Sequence, residues 1–429
     1  MKAVFLTAGA AGMYCGSCMH DNALAIAMRD QDVDCLLQPV YTPIRTDARS
    51  MADEQVFFGG IHIYLLQLMP WLRLVPTPIR RTLDWAPLLK FATKKTHSAD
   101  AVQLGKLTVS MLKGIDGNQA DEVARLVDWL ADDMQPDAVL LSNLLIGGAL
   151  PRVRERLPSA RLAVLLQGDD IFLDFLPEKQ RSEAIRLCRG LVPHVDQFVV
   201  HSQFYAAKMG ELFQIPDDKL VVTPLSIDIK PFQIDHELHE SNASDFRLGY
   251  LARIAPEKGL HHLVDAFVEL AGQPNNDTVR LDVAGWLGEI NQSYLDEQVA
   301  KINRSGLADR FTYHGSPDLK DKVRFLKMLD VLCVPTDYHE PKGLFVLESL
   351  AAGVPVIQPN HGAFGELVES TGGGVLFEPG NIAELCRCIV QLKEDDELRQ
   401  QLARTGREQT QRVHSIEQAS KRMCEILFP

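Results

Sequence analysis

The sequence predicts an α/β protein built from two doubly wound domains, each with a parallel sheet. Short apolar runs without polar alternation recur along the chain, and each ends in Gly, Ser, Pro or Asn. Such runs are typical of strands buried on both faces of a parallel sheet. The series stops at a polar, acidic stretch, 231–246, and restarts after it. The length of 429 residues also favours two cores over one.

The first series predicts the strands of an N-terminal domain over residues 1–230. Its six runs are Ala3–Gly9, Asp34–Tyr41, Ala138–Asn143, Leu162–Gly168, Gln197–Ser202 and Leu220–Leu225. Helical patterns follow the first and fifth runs, at residues 18–30 and 202–213. A helical insert is expected at about 66–130, because this part of the chain does not continue the series.

The second series predicts a C-terminal domain over residues 247–410, after a linker at 231–246. Its runs are Arg247–Ala252, Val279–Gly285, Phe311–Ser316, Val331–Thr336, Val354–Asn360 and Gly374–Pro379. Ligands of such folds bind at the carboxyl ends of the strands, so a cleft between the two domains is the expected ligand site.

Composition excludes some classes of function. Apolar residues make up 46% and charged residues 24% of the chain, as in soluble globular proteins. The net charge of −13 argues against nucleic acid as a partner, because binding phosphates needs an excess of Lys and Arg. The first residues, MKAVFLTAGAAG, are too short for a signal peptide and are expected to form a buried strand. No run approaches the roughly 20 apolar residues of a spanning helix. With eight cysteines, the sequence predicts a cytoplasmic protein with reduced thiols.

A basic, aromatic segment at 66–96 allows two interpretations. It contains six Lys or Arg residues against the single acid Asp84, together with Trp71 and Trp85. This composition is typical of an element that lies on a membrane surface. It also fits two helices that pack on the first domain with their charges in water. Peripheral contact with the inner face of the membrane therefore stays open.

The stretch 337–352 carries the strongest chemical signal. It follows a predicted buried strand and places Glu340 and Glu348 on either side of Gly343. If a helix begins near Gly343, its free N–H groups form an anion site, and both glutamates can reach the same ligand. A nucleotide sugar, with a diphosphate between two hydroxyl-bearing parts, fits this arrangement.

The segment EPKGLFVLE, residues 340–348, resembles the E-x7-E motif of retaining GT-B glycosyltransferases of family 4 (group 1). The resemblance implies that Glu340 lies near the donor hexose and Glu348 on the ribose hydroxyls. It also implies that the backbone of Gly343 and Leu344 binds the diphosphate. Lys342 stands where the family usually has Phe. A final helix at 411–429 would cross back to the first domain.

The segment LARIAPEKG, residues 251–259, resembles the family's GRLxxxKG pattern. The resemblance implies that Arg253 and Lys258 stabilise the departing nucleoside diphosphate, and two cations can do so through charge-assisted hydrogen bonds. No metal ion and no other cofactor is expected, because these cations and the helix start would replace a divalent ion.

The first domain is expected to contribute to donor binding. Its glycine-rich loop, residues 8–22, follows the first strand, and Gly16 is the expected point of close approach to the donor. Gln167 stands where many family members have a donor-contacting His, and Asp169 follows it. The spacing of Cys15 and Cys18 leaves a redox or thiol-gating role as an alternative.

Together these motifs predict an enzyme that transfers a hexose from a nucleotide sugar to a hydroxyl acceptor, with retention of configuration. One alternative is a glucosyltransferase similar to glycogen or starch synthase. Another is a protein that binds nucleotide sugars without turnover. The sequence defines neither the donor base and sugar nor the acceptor.

Overall fold

A computed structural model describes residues 1–9, 16–42, 50, 101–233 and 245–429. These residues form two compact units. Unit 1 comprises Met1–His201, Tyr205–Thr223 and Ser420–Pro429, and unit 2 comprises Ser202–Phe204 and Pro224–Ala419. The basic segment 66–96, Cys15 and the middle of the predicted linker lie outside the described residues.

Unit 1 contains a six-stranded parallel sheet in the order β2-β1-β3-β4-β5-β6. Its strands are β1 Lys2–Thr7, β2 Asp34–Pro39, β3 Ala138–Leu141, β4 Arg161–Leu165, β5 Gln197–Val200 and β6 Leu220–Val222. The six predicted strands are confirmed. Each ends a few residues before the predicted run does, because the runs include the turn residues at the carboxyl edge.

Helices follow most of these strands. They are α1 Gly16–Arg29, α2 Ala101–Leu112, α3 Ala120–Asp128, α4 Leu150–Arg156, α5 Asp169–Asp174, α6 Glu178–Leu191 and α7 Gln203–Phe213. The helices predicted at 18–30 and 202–213 are confirmed as α1 and α7. Helices α2 and α3 occupy the described part of the predicted insert.

Unit 2 contains a second six-stranded parallel sheet in the order β12-β11-β10-β7-β8-β9. Its strands are β7 Phe246–Leu251, β8 Val279–Ala284, β9 Phe311–Tyr313, β10 Val331–Cys333, β11 Val356–Pro359 and β12 Gly374–Phe377. The second predicted series is confirmed as well. Both sheets have the doubly wound α/β order that the sequence predicts.

The helices of the second half are α8 Lys230–Gln233, α9 Leu260–Ala271, α10 Gln292–Arg304, α11 Leu319–Lys327, α12 Leu344–Ala351, α13 Phe364–Thr371, α14 Ile382–Glu394, α15 Asp396–Val413 and α16 Ile416–Leu427. Helix α8 and β7 occupy the two ends of the predicted linker. In the parts of the chain that the structure describes, no helix is long and apolar enough to cross a bilayer.

Burial explains why the two central strands of unit 2, β7 and β10, contain few polar residues. Leu248 and Tyr250 of β7 and Val331, Leu332 and Cys333 of β10 are fully buried. Strands covered by helices on both faces need apolar side chains on both faces. The polar residues therefore begin where the strands end, at the carboxyl edge of the sheet.

Candidate functional site

The candidate site of unit 2 lies on the loops that follow β7 and β10. These strands are neighbours in the sheet and run parallel, with Leu248 paired to Val331. Parallel neighbours bring their following loops to the same edge. Residues 252–259 and 334–343, distant in sequence, therefore meet in space.

Gly259 allows the two loops to pack closely. It has φ of +72°, and a Cβ atom there would lie 1.7 Å from the carbonyl oxygen of Pro335. Only glycine combines this backbone conformation with so close an approach. The preceding turn, Pro256–Lys258, is thereby held against the end of β10, and the side chain of Lys258 is directed to the second loop.

Lys258 and Glu340 form a buried ion pair. The distance from Lys258 Nζ to Glu340 Oε2 is 2.7 Å, and their side chains are 14% and 8% exposed. The Tyr338 hydroxyl donates to the same carboxylate oxygen at 2.5 Å, and Lys258 Nζ also contacts this hydroxyl. Two of the three predicted catalytic residues are thus in direct contact.

The pKa values of this cluster favour one protonation state. Burial raises the pKa of Glu340, but the charge and hydrogen bond of Lys258 outweigh it, with a further hydrogen bond from Tyr338, so the net pKa lies below its ordinary value. Burial, and then the Glu340 carboxylate, raise the pKa of Tyr338 well above its ordinary value. Glu340 is therefore an anion at neutral pH, and Tyr338 keeps its proton.

Gly343 begins helix α12 next to this pair. It has φ of +83°, and among the described residues no side chain caps the helix start. A Cβ atom at Gly343 would lie 3.0 Å from the Phe364 ring. The first N–H groups of a helix have no partner within the helix. The N–H groups of Leu344 and Phe345, at its positive end, are therefore suited to an anion.

Glu348, one turn further along α12, pairs with a residue that the sequence did not single out. Its Oε1 lies 2.6 Å from Lys322 Nζ, and the side chains of Lys322 and Glu348 are 9% and 14% exposed. Lys322 lies on the same buried face of α11 as Phe325 and Leu326. A lysine at helical spacing from two core residues was the available signal.

Arg253 lies on the same loop as Lys258 but is more exposed. Its guanidinium is 2.5 Å from the Glu257 carboxylate, and its side chain is 44% exposed. The charge of Arg253 opposes the rise in the pKa of Tyr338, which indicates that it is near the buried cluster. Arg253 is thus at the solvent side of the site that Lys258 and Glu340 form.

The predicted donor residues of unit 1 occupy a buried hydrogen-bond network at the carboxyl edge of its sheet. Gln167 Nε2 donates to Asp21 Oδ1 at 2.8 Å and to the Ser142 carbonyl at 3.2 Å. The Asp169 carboxylate accepts the backbone N–H groups of Leu144 at 2.7 Å and of Gln167 at 3.3 Å. Burial raises the pKa of Asp169 to about 7.

The neighbouring acid contacts other groups. Asp170 accepts the Tyr205 hydroxyl at 2.7 Å and pairs with Lys208 at 2.6 Å. The two adjacent carboxylates thus hold different partners. Gly16 is the first residue of α1, directly after residues that lie outside the description.

The described cysteines form no disulfide with one another, and most of them are buried. Cys18, in the first turn of α1, is 3% exposed. Its predicted redox partner Cys15 lies outside the described residues, so the thiol alternative stays a prediction.

The C-terminal half of the chain matches a known family. The family profile "Glycosyl transferases group 1" matches residues 232–409, a range that includes Lys258, Lys322, Glu340, Gly343 and Glu348. The matched range is therefore the part of the chain that carries the candidate site of unit 2.

Curated relatives match part of the chain. It is 31% identical over 148 residues to 2-deoxystreptamine glucosyltransferase of Streptomyces kanamyceticus, which covers 34% of the chain and 36% of that protein. It is 31% identical over 159 residues to glycogen synthase of Mycobacterium tuberculosis, with 37% and 36% covered. The chain thus spans about a third of the length of these relatives.

Solved structures match over the full length. The Anabaena protein Alr3699/HepE in complex with UDP has a TM-score of 0.68 at 18% identity, covering 100% of this chain and 99% of its own. Sucrose-phosphate synthase of Thermosynechococcus elongatus has a TM-score of 0.70 at 16% identity, covering 99% and 98%. These structural matches show that the chain has the GT-B fold, and its residues 232–409 are similar to the group 1 glycosyl transferase profile.

Proposed function

We propose that this protein transfers a hexose from a nucleoside-diphosphate sugar to a hydroxyl acceptor, with retention of configuration. The observation that carries the proposal is the buried contact of Lys258 with Glu340 beside the helix start at Gly343. A cation and a row of N–H groups on one sheet edge are suited to a diphosphate. The solved neighbour that binds UDP supports the same ligand class.

Each candidate site residue of unit 2 has a proposed role in binding one part of the nucleotide sugar. Lys258, Arg253 and the backbone of Gly343 and Leu344 bind the diphosphate. Glu340 contacts the hexose, and Glu348, held by Lys322, accepts hydrogen bonds from the ribose hydroxyls. The predicted contributions of Gly16, Gln167 and Asp169 to donor binding stay predictions.

The proposed reaction breaks the bond between the anomeric carbon and the phosphate oxygen. Negative charge then grows on the diphosphate, where Lys258 and the helix start stabilise it more strongly than in the ground state. The acceptor oxygen bonds to the anomeric carbon on the face from which the phosphate leaves. The acceptor proton passes to the leaving phosphate oxygen, so the proposal requires no protein base and no metal ion.

The experiment is a panel of UDP-, GDP- and ADP-hexoses with sugar, glucan and lipid acceptors, analysed by NMR for the product's anomeric configuration. The proposal expects one donor to give a glycoside of unchanged configuration. Nucleotide binding without transfer to any acceptor would favour the non-catalytic alternative, and transfer to α-glucan would favour the synthase-like one. Co-sedimentation with anionic liposomes distinguishes the two interpretations of 66–96, since only a membrane-surface element would bind them.

A further inference from the structure

A second cluster of ligand-type side chains lies on the same edge of unit 2. We name it the His–Asp cluster: His261 and His262, at the start of α9, and Asp337, in the loop after β10. One ligand atom from each lies within 4.8 Å of the other two. Asp337 Oδ1 is 2.6 Å from His262 Nε2, and Asp337 Oδ2 is 3.7 Å from His261 Nε2. In both histidines, therefore, Nε2 faces the Asp337 carboxylate.

Neighbouring groups hold the cluster in place. His261 Nδ1 lies 2.9 Å from the Tyr294 hydroxyl, which also accepts the backbone N–H of His261 at 3.0 Å. A hydrogen bond at the far ring nitrogen is how metal-binding histidines are usually oriented. On the other side, the backbone N–H of Asp337 donates to the Glu257 carbonyl at 3.1 Å. Tyr294 and Glu257 therefore fix both halves of the cluster.

The electrostatics of the cluster favour a bound cation. The ring centroids of His261 and His262 are 4.0 Å apart, so placing a positive charge on both rings is unfavourable. A neutral His262 with its proton on Nε2 can donate a hydrogen bond to Asp337 Oδ1, so His261 is the ring without a hydrogen bond to this carboxylate. The distance of 3.7 Å between His261 and Asp337 is too long for a hydrogen bond. A divalent ion between the three groups would satisfy all of them.

The spacing needs only a small adjustment. Tetrahedral zinc with bonds of about 2.0–2.1 Å places its ligand atoms roughly 3.3 Å apart. The distances of 2.6 Å to Asp337 Oδ1 and 3.7 Å to Asp337 Oδ2 lie on either side of that value, and the three ligand atoms all lie within 4.8 Å of one another. The Asp337 side chain is 48% exposed, so it can move without disturbing the core.

We propose that the His–Asp cluster binds one divalent transition-metal ion, with zinc the best fit. Two imidazoles and one carboxylate suit zinc, cobalt, nickel or copper, whereas magnesium and calcium prefer oxygen ligands alone. The ion would connect the start of α9, just after Lys258, with the loop that leads to Glu340. Because it binds only the folded arrangement, it would stabilise unit 2 by mass action. None of its three ligands is among the residues proposed to bind the donor diphosphate.

The test uses the full chain, without a metal-binding tag and stripped of metal. Co²⁺ is followed by its absorption bands and Zn²⁺ by calorimetry. The proposal expects one ion per chain with a dissociation constant of about 1 μM or lower. Asp337→Asn and His262→Ala should each weaken binding about tenfold or more, and Tyr294→Phe, which removes only the orienting hydroxyl, by a smaller factor.

His314→Ala is the matched control, because His314 Nε2 makes a 2.8 Å contact with Asp282 outside the cluster. This variant should bind the ion as the wild type does. The proposal is overturned if the wild type binds neither ion at about 100 μM, a concentration well above the expected dissociation constant. It is also overturned if folded Asp337→Asn binds as tightly as the wild type. Neither readout requires a nucleotide, so the result is independent of the proposed transferase function.

Discussion

Lys258 Nζ lies 2.7 Å from Glu340 Oε2, although the two residues are 82 positions apart in the chain. Adjacent parallel strands, β7 and β10, bring them together, and Gly259 permits the contact. The pair links a cation and an anion that the sequence assigned to two separate motifs. Because the pair is buried, a substitution there changes both the stability of the fold and the transfer activity, and a test of its role must measure both.

Lys258→Met is expected to reduce transfer by about 100-fold or more, because it removes charge stabilisation from the leaving diphosphate. It also leaves the Glu340 carboxylate buried without its cation, which should lower the free energy of unfolding by about 3–5 kcal/mol. Steady-state kinetics and urea unfolding measure the two effects.

The double variant Lys258→Met/Glu340→Gln separates these effects. It removes both charges, so it should regain part of the lost stability while transfer stays absent. If transfer returned together with stability, the pair would have only a structural role.

Gly343→Ala is expected to weaken nucleoside-diphosphate binding by about tenfold, or 1.4 kcal/mol, because the strained start of α12 moves away from the phosphates. The left-handed backbone should also reduce stability by about 1–2 kcal/mol. Isothermal titration and thermal unfolding provide the two measurements.

Gly353→Ala is the matched control at the other end of this helix. Gly353 has φ of +82°, close to the +83° of Gly343, and the described residues place nothing within 4 Å of its added Cβ. It should show a similar loss of stability with unchanged nucleotide binding. Equal binding losses in the two variants would contradict an anion site at Gly343.

Lys322→Met is expected to reduce discrimination between a ribose and a 2′,3′-dideoxyribose nucleotide. Lys322 Nζ lies 2.6 Å from Glu348 Oε1 and fixes the position of this carboxylate. Without the ion pair, the carboxylate should bind the ribose hydroxyls less well. Competition binding with the two nucleotides measures the ratio. Lys322→Arg, which keeps the charge, should retain more of it.

The double variant Lys322→Met/Glu348→Gln serves as the control for folding. It should recover part of the stability that Lys322→Met loses, since no buried charge then remains unpaired. It should still fail to discriminate between the two nucleotides. A wild-type ratio in folded Lys322→Met would show that Lys322 has no positioning role.

Asp169→Asn is expected to change how stability depends on pH. Burial raises the pKa of Asp169 from 3.8 to about 7 in the folded state. As the pH rises between these values, the unfolded chain releases this proton and the folded chain keeps it. The free energy of unfolding should therefore fall with a slope of up to about 1.4 kcal/mol per pH unit.

The variant carries no titrating group at this position, so the unfolding free energy of the wild type should fall relative to that of the variant as the pH rises over the same range. Urea unfolding at several pH values measures it, with an unchanged dependence on urea as the check that the folded state is the same. Parallel pH profiles for the two proteins would contradict a raised pKa at Asp169.

The strands and the main motif were predictable because their signals are local. The runs around Val331 and Leu248 are apolar throughout, and the residues that follow them are polar, so the position of each strand can be read from consecutive residues. The helix start at Gly343 was likewise predictable from one short stretch. Patterns of this kind need no knowledge of what packs against them.

The remaining contacts depend on residues distant in the chain. Tyr338 lies within the main motif, yet its contact with Lys258 joins residues 80 positions apart. Lys322 and Glu348 are 26 positions apart, on different helices. His262 meets Asp337 across 75 positions. Such pairings follow from strand order and loop packing, which a single sequence does not specify.

Two residues that were predicted to bind the donor also pair with other side chains of the protein. Arg253 was assigned to the diphosphate, and it pairs with Glu257; the spacing of four residues was visible in the sequence. Gln167 was assigned to the donor sugar, and its amide donates to Asp21, a contact between distant residues. In both cases, residue type predicted the location of a polar group but not its partner.

The most direct test of the central claim is calorimetric titration of UDP, GDP and ADP into the wild type and into Lys258→Met. The account predicts that one of these nucleotides binds the wild type with a dissociation constant of about 1 mM or lower, and that the variant binds it at least about tenfold more weakly. Binding of none of the three, or equal binding by folded Lys258→Met, would contradict it.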